Sequence, residues 1–383
     1  MGDSMAIHSF RVALMVVPLL LSACAGGGSS SKQTAPAPDE IVIGVAGPMT
    51  GDLAAFGEQL KRGAEQAVAD LNAAGGVLGK QVRLVVGDDQ CDPRRAVGVA
   101  NDLIAQGVVL VDGHFCSGST IPASEVYSEI GSVLQITPSS TNPMVTERSI
   151  ATLFRTTGRD DRQGMFAGNW LAQNYSGKKI AVLDDRSSYG AGLAREAEKA
   201  LVANGRELAL RDTYVQKEKD FSPLIGRLKQ AGIAVVYVGG YHNDVGLLVR
   251  QARELGFTGD FASGDALNTY EFWSITGPAG DRVRYTDASS PVNLVSAKSV
   301  VEKFRADNYE PEGYTLGSYA AVQAWAAAAE IARTTEAAKV ADALHKGTLS
   351  TVIGVLSWDD KGDLIHPEYA WYVWDNGRAI EEP

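Results

Sequence analysis

The sequence predicts an α/β protein built from two parallel sheets in series. Short apolar runs rich in β-branched residues alternate with segments whose apolar residues recur at helical spacing. That alternation is typical of a parallel sheet covered by helices on both faces. It restarts after "LFRTTGRDD" at residues 153–161. The chain has 383 residues, more than the ~250–300 that one hydrophobic core usually supports.

The first unit shows the pattern most clearly. Residues 57–76 place Leu60, Ala64 and Leu71 on one helical face and end in glycine. The next predicted helix has a proline in its first turn. The elements predicted here are strands at 40–47, 81–86, 108–113 and 133–137, and helices at 57–76, 93–107 and 119–131.

The second unit repeats the alternation, and a tail follows it. Its predicted strands are 178–185, 233–240 and 259–263, and its predicted helices are 189–204, 220–231 and 243–255. The tail adds two predicted helices, at 297–309 and 313–334, and two strand-like segments, at 352–363 and 369–374.

The N-terminus has the pattern of an export signal. Arg11 precedes an apolar run at 12–21, which is too short to span a bilayer. The run ends in "LSAC", and small residues before a cysteine resemble a lipobox. We therefore expect cleavage of residues 1–23, lipidation of Cys24, and a flexible tether over the Gly-, Ser- and Pro-rich residues 24–38. The expected location is the periplasm or cell envelope, with the protein anchored to the membrane.

Charge and motifs exclude several classes of function. The formal net charge is −11, and it persists after cleavage because the leader holds one acid and one base. An acidic chain is a poor nucleic-acid binder. The sequence lacks a phosphate-binding G-x-x-x-x-G-K-[ST] loop, an H-E-x-x-H zinc motif and a C-x-x-C pair. We expect no nucleic-acid partner, no cofactor and no metal.

The loops after the strands carry the candidate site, because ligands of open parallel sheets bind at the carboxyl ends of strands. "GHFCSGST" (113–120) places Ser117 and Ser119 at a helix start, which suits either an anion or simple N-capping. "TPSST" (137–141) supplies more hydroxyls or is an ordinary polar turn. Tyr241 and Asp265 follow two later strands, and Asp265 is either a surface charge or the partner of a cation.

Cysteine chemistry is a competing explanation of "GHFCSGST". His114 and Cys116 could form a nucleophilic dyad. However, once Cys24 is assigned to lipid, Cys91 and Cys116 are an even pair in an oxidising compartment. This weakens the dyad. His242 and Asp244 alone are a weak indication of a metal site.

Many motifs in one order resemble the leucine/isoleucine/valine-binding proteins, the amino-acid receptors of bacterial ABC importers. They run from about residue 39 to 375 and include "DDQCDPRRAV" (88–97), "GHFCSGST", "ITPSSTNP" (136–143), "FRTTGRD" (154–160), "EKDFSPLIGRLK" (218–229) and "WDDKGDL" (358–364). The resemblance implies a type I periplasmic-binding-protein fold: two Rossmann-like lobes joined by a three-stranded hinge, with the ligand between them. It implies lobe 1 at 39–157 and 289–357, lobe 2 at 158–288 and 358–383, and a Cys91–Cys116 disulfide.

The resemblance also assigns roles in the site. The ligand carboxylate would bind Ser117 and Thr141, and the ammonium would meet the carbonyl of Ser139, the hydroxyl of Thr141 and the acid Asp265. This agrees with the chemistry of the loops, because a buried ammonium without a carboxylate would be very costly. Aromatic residues would line the cleft, namely Phe56, Phe115, Tyr189, Tyr241 and Tyr314.

Four positions depart from the leucine-preferring pattern, which has Leu at Phe115, Phe at Tyr314, Tyr at Phe56 and Glu at Asp265. We expect Phe115 and Tyr314 to narrow the pocket from opposite walls, and Asp265 to leave room on the amino side. These changes favour alanine, valine, proline or 4-aminobutyrate over leucine and isoleucine.

These observations predict a monomeric solute-binding lipoprotein that is not an enzyme. It would pass a free amino acid to the permease and ATPase subunits of an ABC importer. The alternative is a sensory receptor that uses the same fold to report a ligand to a signalling partner. An enzyme acting through Ser117 or Cys116 is the third hypothesis, and it would require turnover of a substrate and a free thiol.

Overall fold

The computed structural model of the chain describes residues 40–382. The predicted signal peptide, the lipidation site at Cys24 and the tether lie outside the described residues. No helix within residues 40–382 is both long enough and apolar enough to cross a membrane. This part of the chain forms two large sheets and one two-stranded sheet, with helices packed on the large sheets.

The strands divide cleanly between the sheets. In chain order they are β1 (Glu40–Gly47), β2 (Gln81–Asp88), β3 (Leu110–Gly113), β4 (Leu134–Thr137), β5 (Leu153–Arg155), β6 (Ile180–Asp184), β7 (Leu210–Thr213), β8 (Val235–Gly239), β9 (Asp260–Ser263), β10 (Arg284–Ala288), β11 (Leu349–Thr351), β12 (Gly354–Leu356), β13 (Tyr369–Asp375) and β14 (Arg378–Glu381). The first sheet has the order β2-β1-β3-β4-β5, and the second has the order β14-β13-β10-β9-β8-β6-β7.

Parallel pairing dominates both large sheets, as the sequence predicts. Every pairing in the first sheet is parallel; Ile43, for example, is in register with Leu84 on one side and Leu110 on the other. In the second sheet β6 to β10 pair in parallel, whereas β13 and β14 add an antiparallel edge. Strands β11 and β12 form the small antiparallel hairpin.

The helices lie between the strands. In chain order they are α1 (Ala54–Ala73), α2 (Pro93–Ala105), α3 (Ser117–Ile130), α4 (Asp160–Asn174), α5 (Ser188–Ala203), α6 (Ser222–Ala231), α7 (His242–Glu254), α8 (Tyr270–Thr276), α9 (Lys298–Ala306), α10 (Thr315–Ala332) and α11 (Ala337–Lys346). Short 3₁₀ turns occur at Pro143–Val145, Asp265–Leu267, Gly277–Gly280 and Pro291–Asn293.

The period-two pattern of β1 explains how the first sheet is covered. Ile41, Ile43 and Val45 point into a core shared with α1, α10 and α11, whereas Val42 and Ala46 pack with α2 and α3 on the other face. Helix α10 is almost entirely apolar and is therefore buried over most of its length. The second sheet is covered by α4 and α5 on one face and by α6, α7 and α8 on the other.

The chain passes between the two sheets three times. Strands β1 to β5 belong to the first sheet and β6 to β10 to the second, then α9, α10 and α11 return to the first core, and β13 rejoins the second sheet. The passages follow β5, β10 and the β11–β12 hairpin. The predicted fold class of two Rossmann-like halves with three connections is therefore the observed one.

Several element predictions need correction. Helix α1 begins at Ala54, earlier than predicted, and ends before the two glycines. The strand-like segment 352–363 is not one strand: β12 ends at Leu356, and a turn closed by a Trp358–Leu364 bridge follows it. The sequence analysis also missed β5, β7, β10, β11, β14, α4, α8 and α11, which are short, polar or both.

Candidate functional site

Most of the predicted site residues meet at one small cavity where the carboxyl ends of the strands of the two sheets face each other. Ser117 and Phe115 follow β3, Ser139 follows β4, and Asp265 follows β9. This is the position at which open parallel sheets bind ligands. The cavity is lined by Phe115, Ser117, Ser139, Tyr189, Tyr241, Asp265, Ala266 and Tyr314. Phe56 and Thr141 were also predicted to contact a ligand, but they are buried and do not line it.

The cavity is narrow. The centre of a water-sized sphere can occupy about 10 Å³ of it, roughly the room that one water molecule needs. Even the smallest amino acid is larger than water, so its entry requires the walls to move apart. Phe115 and Tyr314, or the two halves of the molecule, must therefore shift on binding.

The turn that begins "GHFCSGST" is fixed by hydroxyl groups from α3, from the end of β4 and from the loop after β4. The carbonyl of His114 accepts hydrogen bonds from Thr120 Oγ1 at 3.0 Å and Thr137 Oγ1 at 2.9 Å. The carbonyl of Phe115 accepts from Ser139 Oγ at 3.0 Å and Ser140 Oγ at 2.9 Å. Most hydroxyls of "TPSST" thus hold this turn, which leaves Ser117, at the start of α3, facing the cavity.

Cys116 and His114 have structural partners, so the dyad hypothesis is wrong. Cys116 is joined to Cys91 in a disulfide with a Cα–Cα distance of 5.5 Å. His114 is fully buried, with Nδ1 2.6 Å from Asp89 Oδ2 and Nε2 3.0 Å from the hydroxyl of Tyr127. Asp89 also accepts from the backbone N–H of Cys91 at 2.7 Å. Disulfide and hydrogen bonds together anchor the loop at the start of α3.

Asp265 is a buried acid, not a surface charge. Only 2% of the residue is exposed. Its carboxylate accepts hydrogen bonds from Tyr314 Oη at 2.6 Å, Tyr189 Oη at 2.9 Å and Gln163 Nε2 at 3.2 Å. Burial raises the pKa of Asp265, and these hydrogen bonds oppose that rise. No Lys, Arg or His within residues 40–382 forms an ion pair with it.

Asp160 is a second buried acid beside this site, and the sequence analysis gave it no role. It is fully buried, and neither carboxylate oxygen has a hydrogen-bond partner in the described structure. Burial, followed by the charge of Asp265, raises the pKa of Asp160 well above its usual range. The hydroxyl of Thr141 is near Asp160 and opposes this rise in the pKa of Asp160. The contact between Thr141 and Asp160 does not have the geometry of an ordinary hydrogen bond.

Gln163 is the other residue that was missed. One turn along α4 from Asp160, its amide donates to Asp265 and, at 2.7 Å, to the carbonyl of Thr286. Asp160 ends the quoted "FRTTGRD", whose first residues belong to β5, but that strand was not predicted, so no strand end marked the position of Asp160. The complete burial of Asp160 was not predictable either, because an acid at the first turn of a helix usually faces solvent.

The aromatic residues form one continuous cluster. Phe56 stacks on Phe115 with ring centroids 4.4 Å apart, and Tyr314 packs edge-on against Phe115 at 5.1 Å. Tyr241 contacts Tyr189 at 5.1 Å. The expectation that Phe115 and Tyr314 narrow the pocket from opposite walls is wrong, because the rings touch each other. They form one wall, backed by Phe56.

The sequence matches the family described as periplasmic binding protein over residues 40–378. The chain belongs to the periplasmic binding protein family. It is 47% identical to an amino acid binding protein of Pseudomonas aeruginosa over 88% of this chain and 91% of that one. It is 40% identical to the leucine-, isoleucine-, valine-, threonine-, and alanine-binding protein of the same organism, over 95% of this chain and 97% of that one.

A solved structure agrees with this membership. The branched-chain amino acid transporter substrate binding protein of Streptococcus pneumoniae, in complex with isoleucine, has a TM-score of 0.81 to this periplasmic binding protein. The two chains are 28% identical, and the match covers 90% of this chain and all of that one. The expected type I fold is thereby confirmed. Family membership also implies a periplasmic location and confirms a binding protein, not an enzyme.

His242 and Asp244, the residues that weakly indicated a metal site, have other hydrogen-bond partners. His242 Nε2 lies 2.9 Å from Glu271 Oε2, and its ring packs edge-on against Phe56 at 4.9 Å. Asp244 accepts from the backbone N–H of Lys217 at 3.0 Å. Between residues 40 and 382, no group of three or more His, Cys, Asp or Glu side chains is arranged to hold a metal ion.

Proposed function

We propose that this periplasmic binding protein captures a small free amino acid in the cavity between its two sheets and delivers it to an ABC importer. The observation that carries the proposal is the placement of a buried, cation-free carboxylate, Asp265, in the same cavity as the helix-start hydroxyl of Ser117. A zwitterion needs both an acid for its ammonium and donors for its carboxylate. The names of the two Pseudomonas relatives support the class of ligand.

The polar groups assign each end of the ligand. The carboxylate would bind the hydroxyl and N–H of Ser117, at the positive end of α3, and also Thr141, which would join the site once the walls move apart. The ammonium would bind the carbonyl of Ser139, the hydroxyl of Thr141 and the carboxylate of Asp265. Asp160 has both oxygens unpartnered and lies next to Thr141, so it could accept a further hydrogen bond on the ammonium side, where the charge of the ammonium would favour its ionised form.

The aromatic wall sets the size of the ligand. Phe115 and Tyr314 border the narrow cavity together. Phe56 stacks on Phe115, so the Phe115 ring cannot move away from the cavity in that direction. We therefore favour alanine, valine, proline or 4-aminobutyrate over leucine and isoleucine. Overpacking a rigid wall costs about 1–3 kcal/mol, so discrimination should be graded. The relative that is named for both leucine and alanine binding is consistent with such graded selectivity.

The remaining parts of the proposal concern how the protein works in the envelope. Lobe boundaries at 39–157 with 289–357, and at 158–288 with 358–383, fit the assignment of the strands to the two sheets. We propose that the protein acts as a monomer held to the membrane by lipid on Cys24, and that it docks with permease and ATPase subunits. "LSAC" and the tether composition support the anchor.

A thermal-shift panel on the mature protein tests the ligand class. A ligand at about 100 times its dissociation constant adds about 2.7 kcal/mol to the free energy of unfolding. We expect a clear rise in melting temperature with at least one of alanine, valine, proline and 4-aminobutyrate, and a smaller rise with leucine. If no amino acid raises the melting temperature, the proposed function is wrong.

The double variant Phe115→Leu with Tyr314→Phe tests the wall. It restores the residues of the leucine-preferring pattern and removes the Tyr314 hydroxyl. We expect the affinity for leucine, relative to alanine, to rise about tenfold, because a methylene-sized change in an apolar pocket is worth about 1–3 kcal/mol. Phe261→Leu, at a buried ring in the second core, is the matched control. An unchanged leucine-to-alanine ratio would show that the two rings do not set ligand size.

A further inference from the structure

A second, larger cavity lies on the hinge side of the aromatic wall. The centre of a water-sized sphere can occupy about 380 Å³ of it, within the range of small-molecule pockets. It is lined by all three segments that pass between the sheets, at 156–158, 287–290 and 364–368. Tyr314 lines both cavities, so this residue separates the hinge-side cavity from the candidate amino-acid site.

The hinge-side cavity has an apolar floor. Pro138, Leu316 and Leu356 are buried side chains in its wall, and Val292 and Ile353 are half-buried beside them. Leu294 and Val355 border it and remain 41% and 66% exposed. Exposed aliphatic side chains beside a concave apolar surface favour an occupant with an apolar body.

The carboxylates of the cavity outnumber its basic groups. Asp287, Glu312 and Glu368 line it, whereas its lining includes one histidine, His366, and no lysine or arginine. None of the three acids forms an ion pair within residues 40–382. Asp287 accepts from Asn268 Nδ2 at 2.6 Å and from the backbone N–H of Ala288 at 2.7 Å. A carboxylate can accept about four hydrogen bonds, so Asp287 can accept more.

Asp287 would gain most from a cation. Burial, followed by the charge of Asp265, raises the pKa of Asp287 to about 8. A positive group beside it would stabilise the ionised carboxylate. Asn268 orients that carboxylate, since its side-chain oxygen also accepts from the hydroxyl of Tyr285 at 3.3 Å.

We propose that the hinge-side cavity is a second binding site, for a small amphipathic cation such as an alkyl- or arylammonium ion. The ammonium group would bind Asp287, and the apolar part would pack on Leu316, Leu356 and Val292. The charge of the lining argues against an anionic occupant, and its apolar floor argues against a bare ion. An occupant would contact all three inter-sheet segments and Tyr314, so it is placed to affect how the two halves move.

Benzylammonium is a suitable probe, with benzyl alcohol and benzoate as its neutral and anionic counterparts. Binding is measured by isothermal titration to the mature protein, with and without saturating alanine. We expect benzylammonium to bind one site in both conditions. A tenfold change in affinity corresponds to about 1.4 kcal/mol, and we expect benzyl alcohol and benzoate to bind at least about tenfold more weakly.

Three variants test whether benzylammonium binds in the hinge-side cavity. Asp287→Asn keeps the shape of the side chain, and we expect it to weaken benzylammonium by about tenfold or more. Val292→Trp fills the cavity and should abolish probe binding. Asp375→Asn, at an exposed acid outside the cavity, should leave binding within about twofold. The melting temperature of each variant checks folding, and the Asp287→Asn result stands even if Val292→Trp fails to fold.

Three results would overturn the proposal: displacement of benzylammonium by alanine, equal affinity in Asp287→Asn, or equal binding of benzoate. Displacement would place the amine in the amino-acid cavity beside Asp265. Failure of every amino acid to bind would count against the proposed function alone, because the comparison of wild type with Asp287→Asn needs no amino acid.

Discussion

Buried acids distinguish this protein at the scale of single residues. Asp160 and Asp265 lie beside the candidate site, and Asp185 lies after β6, only 1% exposed. The carboxylate of Asp185 accepts from the backbone N–H and hydroxyl of Ser187, at 2.9 and 2.6 Å. Neutral donors give such an acid hydrogen bonds but do not cancel its negative charge. Ionisation of a buried acid of this kind therefore lowers the stability of the folded state.

Asp185 makes stability depend on pH in a predictable direction. Burial raises its pKa to about 6, so the folded state binds this proton more tightly than the unfolded chain does. Stability should therefore fall as pH rises from about 4 to 6. Asp185→Asn removes this loss and should raise the free energy of unfolding at pH 7 by roughly 1–3 kcal/mol.

Denaturant unfolding of wild type and Asp185→Asn at pH 4, 5, 6 and 7 measures the effect. The difference between the two proteins should shrink towards pH 4, where wild-type Asp185 is protonated in the folded state and about half protonated in the unfolded chain. Parallel pH profiles would contradict the assignment of the raised pKa to this carboxyl.

Site residues were predictable where a polar side chain follows a strand that the sequence also predicts. Ser117 and Asp265 each follow a strand at the carboxyl edge of its own sheet, the edge at which open parallel sheets bind ligands. The contact between Phe115 and Tyr314 was not predictable, because it depends on how the two halves pack and on ring orientation. The role of Asp160 was hidden for the same reason, since nothing in a sequence reports that an acid at a helix start is enclosed.

At the scale of elements, the β3–α3 turn shows how a loop is made rigid. The disulfide, the Asp89–His114–Tyr127 contacts and the hydroxyls of residues 137–140 all hold it. A preformed turn presents Ser117 without a large entropy cost on binding. The cysteine of "GHFCSGST" therefore braces a binding loop.

Removing the disulfide should weaken the whole fold. The two cysteines are separated by 25 positions, and closing a loop of that length stabilises by roughly 3–4 kcal/mol in the chain-entropy model. We expect the Cys91→Ser, Cys116→Ser double variant to lose about that much in denaturant unfolding. The control is wild type in reductant, which should match the variant. Two free thiols in unfolded, unreduced, unlipidated protein would contradict the pairing.

Element prediction succeeded for the buried strands and failed for the short or polar ones. Strand β8 is "VVYVG" and fully buried, so its apolar run was plain in the sequence. Strand β10 is "RYTDA", and its charged residues conceal it. It is a strand because β9 and β13 pair with it on both sides, a tertiary effect that overrides local propensity.

At the scale of the whole molecule, polar contacts join the two halves at the cleft. Glu312, which precedes α10, accepts from the backbone N–H of Tyr270 at 2.8 Å and from Thr269 Oγ1 at 3.2 Å, both at the start of α8. Lys217 lies 3.4 Å from Asp52 across the same gap. Such contacts would be lost if the halves separated, so they favour the closed arrangement.

Glu312 should therefore affect affinity without needing to touch the ligand. We expect Glu312→Ala to weaken alanine binding about tenfold, because hydrogen bonds to a charged group are worth about 1.5–3 kcal/mol. Glu310→Ala is the matched control, since within residues 40–382 Glu310 pairs only with Arg305, on the surface. Titration calorimetry measures both. Equal affinities for the two variants would show that this contact does not support closure.

The central claim is that the cavity between the sheets holds an amino acid whose ammonium is neutralised by Asp265. The most direct test is calorimetric titration of alanine into wild type, Asp265→Asn and the control Asp375→Asn. We predict binding of one alanine per wild-type chain, unchanged affinity in the control, and affinity at least about 30-fold lower in Asp265→Asn, because losing one partner of a desolvated charge pair costs about 2–5 kcal/mol. Equal affinity in Asp265→Asn and wild type would contradict the account.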